Sequence, residues 1–313
     1  MINVAFKSVL DLLKAFPDEQ TCINHLTELR CNGNIVSPFD STSKVYVCKD
    51  NKYRCKNTGK YFNVRTATLF DNTKVELRKW FLAIYIGTSH KKGISSLQLS
   101  KDIDVTQKTA WFMLQRIRNC FGFDESIKSD NEVEINETYV GDEVKNRSTA
   151  KRAEFHSNGR QTGMNDKTPV LGILKRGGNV KGFVLQKAHG ETIKPILRQN
   201  IDRSAIVVTD GFGAYNGIGN HFKKHIIVNH QNNEYTNGAF STNHIENFWS
   251  LFKRGIFGIY HFTSQKHLQK YANEFVFRYN TSVKLKVKRE KGKGKSVNIL
   301  NISMFQYVQN TIS

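Results

Sequence analysis

Three short segments place acidic or amide side chains beside apolar strands or on an amphipathic helix. Their central residues are Asn136, Asp210 and Glu246, within VEINETY, AIVVTDG and TNHIENFW. Asp210 ends a β-branched run and precedes a glycine, which predicts a carboxylate at the C-terminal end of a buried strand, where open α/β sheets bind ligands. Glu246 lies on a segment of helical spacing that also carries Lys253.

The chemistry that could join these side chains is phosphodiester cleavage. Two Mg²⁺ ions about 3.5–4 Å apart can activate an attacking oxygen and stabilise a leaving one, and such ions prefer carboxylate oxygens. Taken singly, each residue has an ordinary explanation. An Asp before a Gly is a common surface turn, and Glu246 with Lys253 is a common surface pair on a helix. The interpretation therefore depends on a fold that brings the three segments together.

The elements that must position these residues follow from the patterning of the chain. Residues 1–20 predict a short amphipathic helix that ends at Pro17, and residues 21–72 predict short β-hairpins. Residues 73–122 have helical spacing, and residues 130–281 alternate strands with helices, which is an α/β pattern. The Lys-rich segment Thr281–Ser296 predicts a flexible basic arm, and the polar stretch Lys145–Lys167 a mobile insertion.

Within the helical zone, Gly93–Asp102 and a second helix from Thr106 to about Asn119 have helix-turn-helix-like spacing. Thr106 is the predicted N-cap of the second helix. Its inward face is predicted to hold Ala110, Trp111, Leu114 and Ile117. Its outward face offers candidate DNA contacts at Gln107, Lys108, Gln115, Arg116 and Arg118. A helical hairpin with a solvated polar face explains the pattern equally well.

Composition narrows the class of protein. The 313 residues include 47 Lys and Arg against 27 Asp and Glu, a formal net charge of +20, while 39% are hydrophobic. That hydrophobic content excludes a wholly disordered chain, and the charge predicts a polyanionic partner unless it is only a solvated surface. No apolar run approaches the roughly 20 residues of a membrane span. The odd number of cysteines, five, predicts a reducing cytoplasm.

The same segments carry a family resemblance. VEINETYVG, VVTDGFGAY, STNHIENFWSLFKRGIFGIYH and HLQKYANEFVFRYN resemble the ISXO-type insertion-sequence transposases, and the similarity extends in order over about residues 25–281. Those are Asp–Asp–Glu enzymes with a ribonuclease-H-like core. The resemblance implies Mg²⁺ or Mn²⁺ ligands at Asn136, Asp210 and Glu246, with Lys253 as a further catalytic residue.

The resemblance also implies a domain plan. Residues 1–72 would form an N-terminal helix and a degenerate zinc-ribbon-like hairpin, 73–125 a helix-turn-helix-like module, 126–281 a ribonuclease-H-like α/β catalytic domain, and 282–313 a basic tail. The implied partners are double-stranded DNA, both transposon ends and target, and further copies of the chain in a homodimer or larger assembly. The implied location is the bacterial cytoplasm, in association with the nucleoid and without a membrane.

The chain departs from the family at its first metal ligand. The family has Asp where this sequence has Asn136, and an amide keeps one oxygen but loses the negative charge. A large loss of rate is expected, because charge neutralisation and positioning carry most of phosphoryl-transfer catalysis. An engineered substitution and an inactive natural copy both remain open. Glu134, on the same strand face as Asn136, is an alternative ligand.

A second departure concerns zinc. The family's two Cys-x-x-Cys pairs correspond to Ser37 with Asp40 and to Cys55 with Thr58, so one cysteine of four remains. We therefore predict a hairpin without zinc. A set recruited from Cys31, Cys48, Cys55 and a histidine is the alternative.

These observations predict a DNA transposase that binds terminal inverted repeats and carries out Mg²⁺-dependent hydrolysis and strand transfer, impaired here by Asn136. The alternative is a catalytically inactive, domesticated transposase that acts as a DNA-binding regulator. A cellular ribonuclease-H-like nuclease would leave residues 21–122 poorly explained.

Overall fold

The computed structural model describes residues 6–31, 34–122, 128–141, 149–157, 167–228 and 240–290. Contacts between residues divide the described chain into two units, one that ends at Cys120 and one from Phe121 to Glu290. Within these residues, no helix is both long enough and apolar enough to cross a membrane.

The described residues of the first unit contain five α-helices. They are α1 (Val9–Ala15), α2 (Glu19–Cys31), α3 (Leu77–Ser89), α4 (Ser96–Asp102) and α5 (Gln107–Asn119). The Thr106 side chain accepts a hydrogen bond from the Thr109 backbone N–H at 3.2 Å, which confirms the predicted N-cap of α5.

Helix α2 corrects the prediction of short extended pieces from residue 21. Asp18 Oδ1 accepts a hydrogen bond from the Thr21 backbone N–H at 2.7 Å, which stabilises the start of the helix. Cys22, His25 and Leu26 are buried at helical spacing. This spacing is present in the sequence, but it covers few residues and lies next to the segment predicted to form hairpins.

The first unit also contains a small antiparallel sheet, in the order β1 (Val45–Val47), β2 (Lys52–Cys55), β3 (Tyr61–Asn63). Its inner face buries Tyr53, Cys55 and Phe62. The predicted alternation of apolar and polar residues is confirmed here, because successive side chains of a strand point to opposite faces.

The second unit is built on a five-stranded mixed sheet. Its strands are β4 (Glu132–Val140), β5 (Thr168–Lys175), β6 (Val180–Val184), β7 (Ile206–Thr209) and β8 (Lys224–Ile227). Their order across the sheet is β6-β5-β4-β7-β8. Strand β5 is antiparallel to both of its neighbours, β6 and β4, whereas β7 and β8 run parallel to β4. This sheet and its helices confirm the predicted α/β class.

Where the structure describes the second unit, it has four α-helices: α6 (Thr149–Ser157), α7 (Gly190–Asn200), α8 (Asn243–Gly255) and α9 (Gln265–Glu290). One sheet face packs on α7 through Ile193 and Leu197. The other packs on α8 and α9, where Trp249 lies among Phe248 and Phe252 and is a core residue.

Two segments that the sequence predicts to be flexible contain helix. Helix α9 continues to Glu290, through much of the predicted basic arm, because residues 281–290 contain no Gly or Pro to end it. Helix α6 lies inside the predicted mobile insertion. The remaining parts of both segments, 145–148, 158–166 and 291–296, lie outside the described residues.

Candidate active site

The register between β4 and β7 brings the first two candidate ligands to the same end of the sheet. Glu134 pairs with Val208 in the parallel ladder. Two residues further along are Asn136, which is still in β4 and on the face that carries Glu134, and Asp210, the first residue after β7. Asp210 Oδ1 accepts a hydrogen bond from the Phe212 backbone N–H at 3.1 Å. Adjacent strands lie about 4.8 Å apart. Asn136 and Asp210 therefore lie near the same end of two adjacent strands, and both are half-buried.

Glu134 connects this strand face to helix α8. It is 0% exposed, and its Oε2 accepts hydrogen bonds from the backbone N–H groups of His244 and Ile245, both at 3.0 Å. His244 Nδ1 lies 2.7 Å from Oε1. A carboxylate at a helix N-terminus satisfies N–H groups that have no partner within the helix and interacts favourably with the helix dipole. Both oxygens are thus engaged, which disfavours Glu134 as a replacement metal ligand.

The anchored helix carries the third candidate ligand in its first turn. Glu246 is exposed, and its Oε1 accepts a hydrogen bond from the hydroxyl of the buried Thr242 at 2.7 Å. Lys253 is exposed in the last turn of α8, seven residues beyond Glu246 and therefore on the same side of the helix.

A glycine allows α8 to lie close to the sheet beside this site. Gly172 of β5 pairs with Asn136. A Cβ atom added to Gly172 would lie 2.6 Å from Trp249 Cζ2 and 2.7 Å from Ile245 Cδ1. Any larger residue would push away the start of the helix, and with it Glu246.

The structure adds a carboxylate that the sequence interpretation missed. Glu137, next to Asn136, points to the other sheet face, where its Oε2 accepts a hydrogen bond from the Tyr215 hydroxyl at 2.5 Å. Burial raises the pKa of Glu137 to about 7; the Tyr215 hydrogen bond opposes this rise, and the charge of Asp210 adds to it. The signal in the sequence was its position in the apolar alternation of Val133 and Ile135.

We expect Glu137 to make stability depend on pH. Its folded pKa of about 7 exceeds its ordinary value of 4.5, so the unfolded chain releases the proton first. The free energy of unfolding should therefore fall as pH rises from about 4.5 to 7, by at most about 3 kcal/mol. Urea unfolding in EDTA from pH 5 to 8 measures this loss. Glu137→Gln should flatten it and Glu191→Gln, an exposed control, should not; parallel profiles for all three chains would contradict the assignment.

Comparison with known proteins shows the family. Residues 128–280 match the ISXO2-like transposase domain. Over 252 residues the chain is 31% identical to an uncharacterised protein in the transposable element ISH50 of Halobacterium salinarum, which covers 77% of this chain and 84% of that protein. The chain belongs to the ISXO2-like transposase family. An uncharacterised transposase-like protein of Haemophilus influenzae is 29% identical over 104 residues, 32% of this transposase and 79% of that protein.

The candidate DNA-contacting residues of this transposase divide into two groups. The outward orientation predicted for Gln115 and Arg118 is wrong, because they are only 5% and 2% exposed. Arg116 is half-buried and donates hydrogen bonds to the backbone carbonyls of Leu69 and Asp71. These three side chains belong to the packing of the first unit.

Ala110, Leu114 and Ile117 of α5 are buried as predicted. Among the candidate DNA contacts, the first turn of α5 keeps its predicted outward orientation. Gln107 and Lys108 are exposed, and DNA contact by them stays a prediction. Trp111, predicted to be inside, is also exposed. The buried stripe of α5 passes through Met113 rather than Trp111, so the helix is rotated relative to the predicted faces.

The positions that correspond to the family's cysteine pairs are occupied by a hydrogen-bonded group. The hydroxyls of Ser37, Ser43 and Thr58 lie against the buried Cys55 thiol and lower its pKa to about 6. Asp40 accepts hydrogen bonds from Thr42 and Asn57. Across the part of the chain that the structure describes, no group of three His, Cys, Asp or Glu side chains could hold a metal ion. The absence of zinc stays a prediction.

Proposed function

We propose that this chain is a DNA transposase whose second unit is a ribonuclease-H-like core. The observation that carries the proposal is the convergence of three elements. Asn136 in β4 and Asp210 directly after the adjacent β7 lie near the same end of the sheet, and Glu134 of β4 anchors the helix that bears Glu246. The strand order, with three antiparallel strands followed by two strands parallel to β4, supports the ribonuclease-H-like assignment.

The donor set suits a hard divalent cation. Asp210 and Glu246 supply carboxylate oxygens and Asn136 an amide oxygen, the ligand types that Mg²⁺ and Mn²⁺ prefer. When bound, such ions neutralise phosphate charge and polarise the attacking oxygen. With two carboxylates in place of three, we expect weaker metal binding than in a complete Asp–Asp–Glu site.

The reaction we propose has two phosphoryl-transfer steps. Water attacks the phosphodiester at a transposon end, and the P–O bond that breaks frees a 3′-hydroxyl. That hydroxyl attacks a phosphodiester of the target in line and displaces one strand end, without a covalent enzyme intermediate. In this proposal Lys253 contacts the phosphate beside the cut, since it is exposed on the side of α8 that carries Glu246.

The first unit would read the terminal inverted repeats through the exposed start of α5, Gln107 and Lys108. The net charge of +20 supports binding to double-stranded DNA, both ends and target. Synapsis of two ends implies a homodimer or larger assembly in the bacterial cytoplasm, associated with the nucleoid. We also propose that the small sheet holds no zinc, and one zinc per purified, dialysed chain would contradict this.

A second candidate function is a DNA-binding regulator derived from a transposase. Asn136 favours it, because a regulator needs no complete metal site. The DNA that flanks the gene discriminates between the two. Short inverted repeats and target duplications mark a mobile element, and their absence favours the regulator.

The proposed function is tested by joining a labelled, pre-cut transposon end to a target plasmid with Mg²⁺. The chain with Asn136→Asp should give joined products, and the same chain with Asp210→Asn added should give none while it still binds the end. Failure of the Asn136→Asp chain to join DNA that it binds would favour the regulator.

A further inference from the structure

The outer face of the small sheet combines aromatic rings with cations in one cross-strand row. Tyr46 pairs with Arg54, which pairs in turn with Tyr61, so the three side chains lie side by side across β1, β2 and β3. Tyr46 is 42% exposed and Tyr61 is 61% exposed. The Arg54 guanidinium lies 5.8 Å from the centroid of the Tyr61 ring.

Three lysines extend this row on the same face. Lys52 and Lys56 are two residues to either side of Arg54, and Lys44 is two residues before Tyr46, so alternation points all of them outward. The Lys44 ammonium lies 5.8 Å from the Tyr46 ring centroid. We call this set, Lys44, Tyr46, Lys52, Arg54, Lys56 and Tyr61, the tyrosine face.

The tyrosine face carries four cations and no carboxylate. None of these cations forms an ion pair with a carboxylate in the described ranges. The core of the sheet lies on the opposite face, where Tyr53, Cys55 and Phe62 are buried. The exposed rings are therefore not needed to build that core, and their exposure points to a ligand.

We propose that the tyrosine face binds unpaired DNA, with bases stacked on Tyr46 and Tyr61 and phosphates held by the four cations. Exposed aromatic rings in a basic setting are the usual platform for single strands, because every base has a face that can stack. Two strand spacings of about 4.8 Å place the tyrosines roughly 10 Å apart, so each takes a separate base. In a duplex the faces of the bases are already stacked, so the rings favour a single strand.

The inference rests on the proposed function only in taking DNA as the polyanion. It assigns the small sheet to DNA strands that are opened at a transposon end, whereas duplex recognition is assigned to α5. The two assignments use different elements and different forms of DNA, and they can fail separately.

The test measures binding of the full-length chain by fluorescence anisotropy to a labelled 20-nucleotide strand, the same sequence as a duplex, and an abasic strand of equal length. Tyr46→Leu with Tyr61→Leu should weaken binding of the single strand at least tenfold. The matched control is Phe39→Leu, which removes an exposed ring near Lys60 that packs on Phe62, and it should change affinity less than twofold. Unchanged thermal unfolding verifies the fold of each variant.

The abasic strand separates stacking from charge. It keeps the phosphates without the bases, so the wild-type chain and the double tyrosine variant should bind it equally. Lys44→Gln with Lys56→Gln should instead reduce the slope of log affinity against log salt by about 1.4, at roughly 0.7 per lost phosphate contact in a single strand.

The proposal would be overturned if the double tyrosine variant bound the single strand as tightly as the wild-type chain does. It would also be overturned if the variant lost as much affinity for the abasic strand as for the normal strand. Tighter binding of an RNA strand of the same sequence would overturn the assignment to DNA. If duplex ends are neither bound nor joined while these single-strand effects hold, the proposed function fails and the tyrosine face stands.

Discussion

Replacing Asn136 with Asp should increase the rate of Mg²⁺-dependent strand transfer on the order of 100-fold. The substitution adds a third carboxylate in β4, the strand that anchors α8, near the same end of the sheet as Asp210. Removing one preorganised donor from an oxyanion hole typically costs about 10²–10³ in rate, and phosphoryl transfer likewise depends on positioned charge. Single-turnover joining of a pre-cut end to target DNA measures the effect directly.

Although Asn136→Asp should raise activity, it should lower the stability of the chain when no metal is bound. Two carboxylates near the same end of adjacent strands repel each other, so Asn136→Asp should lower the free energy of unfolding in EDTA and recover it with Mg²⁺. The matched control is Asn179→Asp, which adds the same charge at an exposed residue in the turn between β5 and β6. An unchanged joining rate together with no Mg²⁺-dependent recovery would sink the ligand assignment.

Removing the carboxylate of Glu134 should cost about 2–4 kcal/mol of stability. Glu134→Ala leaves the backbone N–H groups of His244 and Ile245 without their acceptor at a buried position. Glu134→Gln keeps the shape and an oxygen for the two backbone N–H groups, but it loses the negative charge at the start of α8 and places an NH₂ group against His244 Nδ1. We expect it to lose roughly half as much stability. Urea unfolding gives both values.

The consequence for activity separates positioning from simple stability. In the Asn136→Asp chain, Glu134→Gln should lower the joining rate at saturating DNA and leave the affinity for the end unchanged, because Glu246 loses its fixed place relative to β4. Glu132→Gln is the control on the same strand, since the carboxylate of Glu132 forms an ion pair with Arg176. Equal effects of the two substitutions would show that Glu134 has no special role.

Much of the fold was predictable from local patterns. The alternation of strands and helices from residue 130 indicated an α/β sheet, and the Thr106 cap located the start of α5. The failures have physical causes. Helix α2 is stabilised by the Asp18 cap and three buried residues, a short signal beside a hairpin. Gln115 and Arg118 have polar ends, so the sequence predicts that they face solvent. Tertiary packing buries them instead.

For the candidate site, too, the sequence predicted some features and only the structure revealed others. Residue types and a family resemblance identified Asn136, Asp210 and Glu246, and they identified the missing charge at Asn136. Pairing register cannot be read from a single strand, because it depends on hydrogen bonds between segments that lie far apart in the chain. The placement of Asn136 and Asp210 near the same end of adjacent strands therefore became visible only in the sheet.

By itself the sequence determined the chemistry that is available to this transposase. It set two carboxylates and an amide at the candidate ligand positions, a surplus of cations, and one cysteine at the four positions that correspond to the family's cysteine pairs. The tertiary structure decided how these groups are used. It turned Glu134 into the anchor of α8, placed Glu137 against Tyr215, and aligned Tyr46, Arg54 and Tyr61 across one sheet face. The reason is that a side chain's role depends on the partners that folding brings to it, and those partners are remote in sequence.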